Sequence, residues 1–107
     1  MIDKILQSAI IPAGAGRLED SQHLDVFAVY FDGVIADGPD DGPRCIFTHN
    51  STVELYATTL EAGDKAKLRF EAELDALSIS YTTQGWYWLS STQRFQEIYE
   101  LTYINKT

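Results

Sequence analysis

From Thr52 to Thr59 the chain reads T-V-E-L-Y-A-T-T. Val53, Leu55 and Ala57 alternate with Thr52, Glu54, Tyr56 and Thr58, and side chains along a β-strand point to opposite faces with period two. Such a segment is a strand with one apolar face, and that face needs a cover. Further along, F-Q-E-I-Y-E-L-T-Y-I over Phe95–Ile104 is a second, longer strand, rich in aromatic and branched residues. Between the two lies one well-signalled helix, Asp64–Leu77, in which Ala66, Phe70, Leu74 and Leu77 fall on one side of the helical period. Strand, helix and strand region (Ile79–Tyr103) together predict an α/β (α+β) chain with this helix laid on a sheet.

The remaining segments extend that frame. Ile2, Ile5, Leu6, Ala9 and Ile10 recur at helical spacing and predict an N-terminal helix over Ile2–Ile10, with Asp3 in its first turn and Pro12 as its stop. Ala13-Gly14-Ala15-Gly16 reads as flexible. It lacks the preceding strand, the lysine-serine pair and the third glycine of a phosphate loop. Asp20–Leu24 reads as polar linker. Val26–Phe31, V-F-A-V-Y-F, is apolar on both faces, which predicts a central, covered strand. Asp32-Gly33 is a tight-turn signal that would return the chain antiparallel through Val34–Ala36. Asp37–Pro43 is the clearest loop, Arg44–Thr48 a short strand, and His49–Ser51 its connection to the strand at Thr52. In the second helix Asp64 is the expected N-cap. Ser78–Tyr81 opens another strand, Thr82–Gly85 turns or bulges it, and Trp86–Leu89 continues it. The expected architecture is one domain spanning 1–107: helix 2–10, then a sheet-and-helix core over 24–104. The sheet is a single layer, mixed or antiparallel, of four or five strands, with both helices packed mainly on one face.

One pattern resists the local rules. In the second helix Lys65, Lys67 and Arg69 precede Glu71, Glu73 and Asp75. This order opposes the helix dipole at about 0.3–1 kcal/mol per badly placed terminal charge. Burying Phe70, Leu74 and Leu77 offsets it at about 1.5–3 kcal/mol each. The helix is therefore expected to depend on packing.

Composition narrows the function classes. A chain of 107 residues is one domain by length, and 45% hydrophobic content is normal for a globular core. No apolar run approaches the roughly 20 residues of a membrane span. Met1-Ile2-Asp3-Lys4 lacks the basic and apolar regions of an export signal, so routine export is not expected. The lone Cys45 has no internal disulfide partner, which fits a reducing compartment. Sixteen acidic against eight basic residues give a net charge of -8, which repels nucleic acid and anionic membranes. That balance suits a basic partner, a conduit that DNA passes without sticking, or plain solubility.

Chemistry-bearing motifs do not accumulate. His23 and His49 are the only histidines, and neither has a cysteine or second histidine at zinc spacing. Asp37, Asp40 and Asp41 miss the alternating acidic pattern and closing glutamate of a calcium loop. No serine, threonine or cysteine sits in a nucleophile motif. The expectation is no enzyme, no cofactor and no metal.

Contact surface is better signalled. Trp86, Tyr87 and Trp88 are adjacent in a strand, so they cannot all face one core. Aromatic residues dominate both cores and interface hot spots. In the last strand Phe95, Glu97, Tyr99, Leu101 and Tyr103 line one face, and Gln96, Ile98, Glu100, Thr102 and Ile104 the other. Both faces mix polar and apolar groups, which points to a strand partly at a subunit interface.

Taken in order, these pieces resemble a known family. They are a short helix ending in I-P, a small-residue segment, a V-Y-F strand, A-D-G, V-E-L-Y-A-T, an acidic-basic helix ending in A-L, and the closing aromatic-E-I-Y-E-L-T-Y-I. The sequence is similar to the small tail-completion proteins of long-tailed bacteriophages and prophages, also called tail terminators or head–tail joining proteins, and most to those of phages with Gram-positive hosts. It is sharpest at Val53–Thr58 and Phe95–Ile104. The Asp37–Pro43 loop is richer in proline and glycine, and Trp86–Ser91 more aromatic, than that family's usual pattern.

The resemblance implies a structural virion protein. It would form a homo-oligomeric, hexameric ring that caps the tail tube and joins it to the head connector or stopper. It would lie at the head–tail junction after assembly in the host cytoplasm, with DNA passing unbound. On that reading Trp86, Tyr87, Trp88 and Phe95 make subunit or partner contacts, and Asp37, Asp40 and Asp41 belong to a mobile loop that orders on assembly. The competing expectation is a small acidic immunity protein that neutralises a basic nuclease toxin, using charge to steer association.

Overall fold

The computed structural model describes residues 1–37 and 46–106; at 34–37, 46–48 and 104–106 it describes the backbone alone. Two helices, α1 (Ile2–Ser8) and α2 (Leu60–Ala76), accompany six strands. These are β1 (Ala13–Ala15), β2 (Val26–Asp37), β3 (Ile46–Ala57), β4 (Ser80–Thr83), β5 (Tyr87–Leu89) and β6 (Arg94–Lys106). One mixed sheet runs in the order β1-β2-β3-β6-β4, with β5 also on β6. Among the described residues only the β1–β2 pair is parallel. The expected single sheet with two helices is what forms. The extra strands come from the small-residue segment, which is β1, and from Gln84–Trp86, which splits the fourth strand from the fifth.

The backbone of the fold is the antiparallel trio β2, β3 and β6. Val26 opposes Ala57, Asp37 opposes Ile46, and Ile46 in turn opposes Lys106. Strands of this length, rising ~3.3 Å per residue, give the molecule its 50 × 25 × 22 Å extents.

Asp32-Gly33 therefore does not turn the chain. Both residues lie inside β2, opposite Ser51 and Asn50. Neither has the positive φ that a tight hairpin turn needs. Gly33 answers a different demand: a Cβ there would stand 2.8 Å from the Asn50 carbonyl oxygen. His49–Ser51, expected as a connection, are likewise interior to β3. The chain from Arg44 to Cys45 lies outside the described residues.

Alternation sorts the trio's side chains onto two faces. Ala28, Val53, Leu55, Ala57, Tyr99 and Leu101 turn to the helices and are buried. They pack with Ile2, Ile5 and Leu6 of α1 and Ala66, Phe70 and Leu74 of α2. Phe70 meets Tyr99 edge-on, ring centroids 5.0 Å apart. Leu77, expected on this face, is exposed because α2 ends at Ala76 and Ser78 takes a left-handed conformation. Ile10 is exposed for a similar reason: α1 stops at Ser8, Ile10 is itself left-handed, and Ile11 enters the core instead.

The start of α2 also differs from expectation. Thr59, not Asp64, is the N-cap: it is extended, and its side chain accepts from the Ala62 amide at 3.2 Å. Gly63 then sits inside the helix at a cost of about 1 kcal/mol against alanine. A Cβ on it would come within 2.6 Å of the Trp86 indole. That ring lies across the helix here and donates from Nε1 to Asp64 at 2.8 Å.

The adverse charge order of α2 has tertiary causes. Lys67 reaches the buried Glu97 at 2.8 Å, and Arg69 donates from Nε to the Ala9 carbonyl at 2.7 Å, fastening the end of α1.

Candidate interaction surface

Among the described residues no α-helix lies on the second face of the sheet. Phe27, Val29 and Phe31 of β2 share it with Thr52, Glu54 and Tyr56 of β3. Gln96, Ile98 and Glu100 of β6 and Tyr87 of β5 continue it. Cross-strand pairing sets these residues in rows: Phe27, Tyr56, Gln96, Tyr87 in one, and Val29, Glu54, Ile98 in the next. Phe27 and Tyr56 stack with centroids 4.9 Å apart. Gln96 donates to the Tyr56 hydroxyl at 2.8 Å, which itself donates to Glu54 at 3.0 Å. Burial raises the Tyr56 pKa and keeps the hydroxyl a donor.

One end of this face is partly roofed. Arg94 donates to the carbonyls of Leu24 (2.7 Å), Gln22 (3.0 Å) and Ser21 (3.3 Å), and its guanidinium lies 5.2 Å from the Phe27 ring centre. It thus holds the short 3-10 turn at Ser21–His23 against the sheet. The groove between that segment and the sheet encloses about 610 Å³, with Phe27, Val29 and Tyr56 in its floor and Arg17 at its rim. Beyond the roof, Phe31 is 49% exposed, Ile98 36% and Tyr87 67%.

The residues singled out in the sequence do not gather at one place. Trp86 packs on α2, half-buried. Tyr87 points to the open face. Trp88 returns to the helix side, where it meets Phe95 edge-on at 4.8 Å while remaining 48% exposed. Asp37 ends β2; its side chain, Asp40 and Asp41 lie outside the described residues.

Two polar clusters lie on the helix side. In the first, Asp32 accepts from Ser51 at 2.5 Å and contacts His49 Nδ1 at 3.2 Å, with Tyr103 stacked on His49 at 4.5 Å. Partial burial would raise the Asp32 pKa, but the hydrogen bonds from Ser51 and His49 outweigh it and hold the carboxyl below its usual range. Ser51 is fully buried and bonds the carboxylate rather than the imidazole. The trio is thus a brace between β2 and β3, not a nucleophile beside its base. In the second, the buried Glu97 takes Lys67 and the Thr83 hydroxyl (2.6 Å), while Tyr99 donates to Glu71. Burial and the bond to Glu71 raise the Tyr99 pKa strongly. Every buried side-chain polar atom among the described residues has a partner.

Among the described residues no three acidic, histidine or cysteine side chains are placed to hold a metal ion. No helix there is long and apolar enough to cross a membrane. No protein-family model and no curated protein matches this chain.

Of Phe31, Arg94 and Ile98, the sequence pattern points to Ile98, on a mixed face of β6. Phe31 reads as the end of a covered strand, and Arg94 carries no local signal.

Proposed function

We propose that this chain is a structural assembly protein of a long-tailed phage or prophage. It would build a ring that completes the tail tube and presents it to the head connector. The observation that carries the reading is the open sheet face, on which Phe31, Ile98 and Tyr87 are exposed among Glu54, Gln96 and Glu100 of the same strands. The helix side also has exposed apolar residues: Leu60 and Leu68 on α2, and Leu77 just past its end, which lines a hollow together with Met1. A sheet face that simply meets water is polar, so the exposed Phe31, Ile98 and Tyr87 favour a contact surface there. The sequence resemblance supplies the kind of assembly, and the net charge of -8 suits a passage for DNA.

The test is the mass in solution over a concentration series, alone and with tail-tube and connector proteins from the same genome. A closed ring, alone or formed on the tube, supports the reading. A strict monomer that ignores both proteins overturns it.

Glu54 and Glu100 on the same face favour a second reading, an acidic inhibitor of a basic toxin. Its association rate would fall steeply with ionic strength. Association through Phe31, Ile98 and Tyr87 would not.

A further inference from the structure

We propose that copies of this chain join by strand addition, the end of β6 in one copy pairing in parallel with the outer edge of β2 in the next. The proposal rests on the ring-forming reading and specifies how the ring closes. It starts from backbone bookkeeping. β1 covers β2 only from Ala28 to Tyr30. The Ala28 amide donates to Pro12 at 2.8 Å, and the Tyr30 carbonyl accepts from Gly16 at 2.9 Å. Even-numbered residues of β2 therefore aim their backbone groups at this edge, while the odd-numbered ones face β3. By the same alternation Asp32, Val34 and Ala36 present N–H and C=O groups outward, and among the described residues nothing pairs with them. On the opposite flank β4 pairs with β6 only as far as Thr102. The Ile98 carbonyl accepts from the Thr83 hydroxyl at 3.1 Å, so even-numbered residues of β6 face that edge. Ile104 and Lys106 then have no neighbour there among the described residues.

The occupant that fits is a second copy, because the molecule carries both halves of the joint. The two edges lie at one level of the sheet: Val34 opposes His49, which opposes Tyr103, and Ala36 opposes Phe47, which opposes Asn105. They face opposite ways. β2 and β6 are each antiparallel to β3, so they run in the same direction. A copy related by rotation about an axis beside the sheet offers its β6 end to the neighbour's β2 edge, a head-to-tail contact that closes into a ring. Unpaired edges of this kind are usually capped, covered or charged in proteins that stay monomeric.

Val34→Pro tests the proposal. It deletes an outward N–H and leaves the β2–β3 ladder intact, and proline is tolerated at an edge position of this type. Ile35→Pro is the control that breaks the ladder. For Val34→Pro the assembly midpoint is expected to rise on the order of tenfold or more, with the far-UV circular dichroism unchanged. In the unmodified chain, residue-level amide exchange is expected to slow on assembly at Asp32, Val34, Ala36, Ile104 and Lys106. The exchange result decides should Val34→Pro fail to fold. A ring that forms without that slowing, or that Val34→Pro leaves intact, overturns strand addition and leaves the ring reading standing. Protection of β2 alone, in a species that stops at a dimer, overturns the head-to-tail joint in favour of a two-fold β2–β2 contact. A chain that never assembles, alone or with tube and connector proteins, overturns both.

Discussion

The two faces of this sheet are made by the same strands and obey different rules. On the helix side the inward positions of β3 from Ser51 onward are filled and closed: Ser51, Val53, Leu55 and Ala57 are all buried. The polar groups there are tied into pairs, Glu97 with Lys67 and Asp32 with Ser51. On the other side the intervening residues alternate charge with aromatic rings, and Phe31, Ile98 and Tyr87 meet solvent. An antiparallel sheet that simply faces water reads polar on its outer side. This one does not. The covered face accounts for why the chain folds, and the open face is the one proposed to make contacts afterwards.

The sharpest way to break this division is at the covered face. Phe70→Ala removes a fully buried ring from between α2 and Tyr99. It is expected to cost about 3–5 kcal/mol, read as a lowered urea midpoint with unchanged slope. Glu97→Ala strands Lys67 and the Thr83 hydroxyl. Breaking a buried pair costs about 3–5 kcal/mol, and less here because Lys67 reaches water. A double-mutant cycle with Lys67→Met should recover part of that loss. Gly63→Ala is a finer probe. Helix propensity alone would favour it by about 1 kcal/mol. Displacing the Trp86 indole should instead give a net loss of roughly 1–3 kcal/mol, with a shift in tryptophan emission.

The Asp32 brace yields a pH signature. Its carboxyl is held below its usual range in the folded state. Its contribution is therefore complete above the ordinary carboxylate pKa of about 4 and is lost as pH falls through the lower, folded value. Asp32→Asn should flatten that part of the acid-unfolding curve. Tyr99 works in the opposite direction. Its pKa is raised, so its contribution is complete below a pH of about 10 and fades as alkali ionises the unfolded chain. The smallest expected effect on stability comes from the open face. Phe31→Ser with Ile98→Ser should change unfolding by no more than about 0.5 kcal/mol per site, while association with tail-tube protein is lost.

The sequence made the covered face legible and the open one only in part. The period-two run at Val53–Ala57 and the alternation of Phe95–Tyr103 depend on local spacing, and β6 divides its side chains between the two faces as expected over that span. Ala66, Phe70 and Leu74 were placed on the sheet for the same reason. The misreadings share a cause: a local signal outvoted by a distant partner. Asp32-Gly33 has turn chemistry, but Ser51, His49 and Asn50 hold it in a ladder. Gly63 looks like a break before a helix, yet Trp86 is what requires it. Leu77 completes an apolar period, but the helix ends one residue before it. Ala13–Ala15 has weak strand propensity and is a strand because the Pro12 carbonyl and the Gly16 amide bond to β2. The aromatic cluster of Trp86, Tyr87, Trp88 and Phe95 drew notice as a unit, and the pleat divides it between the faces.

Side-chain footprinting by hydroxyl radicals, on the chain free and assembled with tail-tube protein, tests the division of the two faces most directly. Phe31, Tyr87 and Ile98 are expected to become protected on assembly, while Leu68 of α2 and Leu77 just past its end react as before. Protection confined to Leu68 and Leu77, with Phe31 and Ile98 still reactive, would contradict the assignment of the open sheet face as the assembly surface.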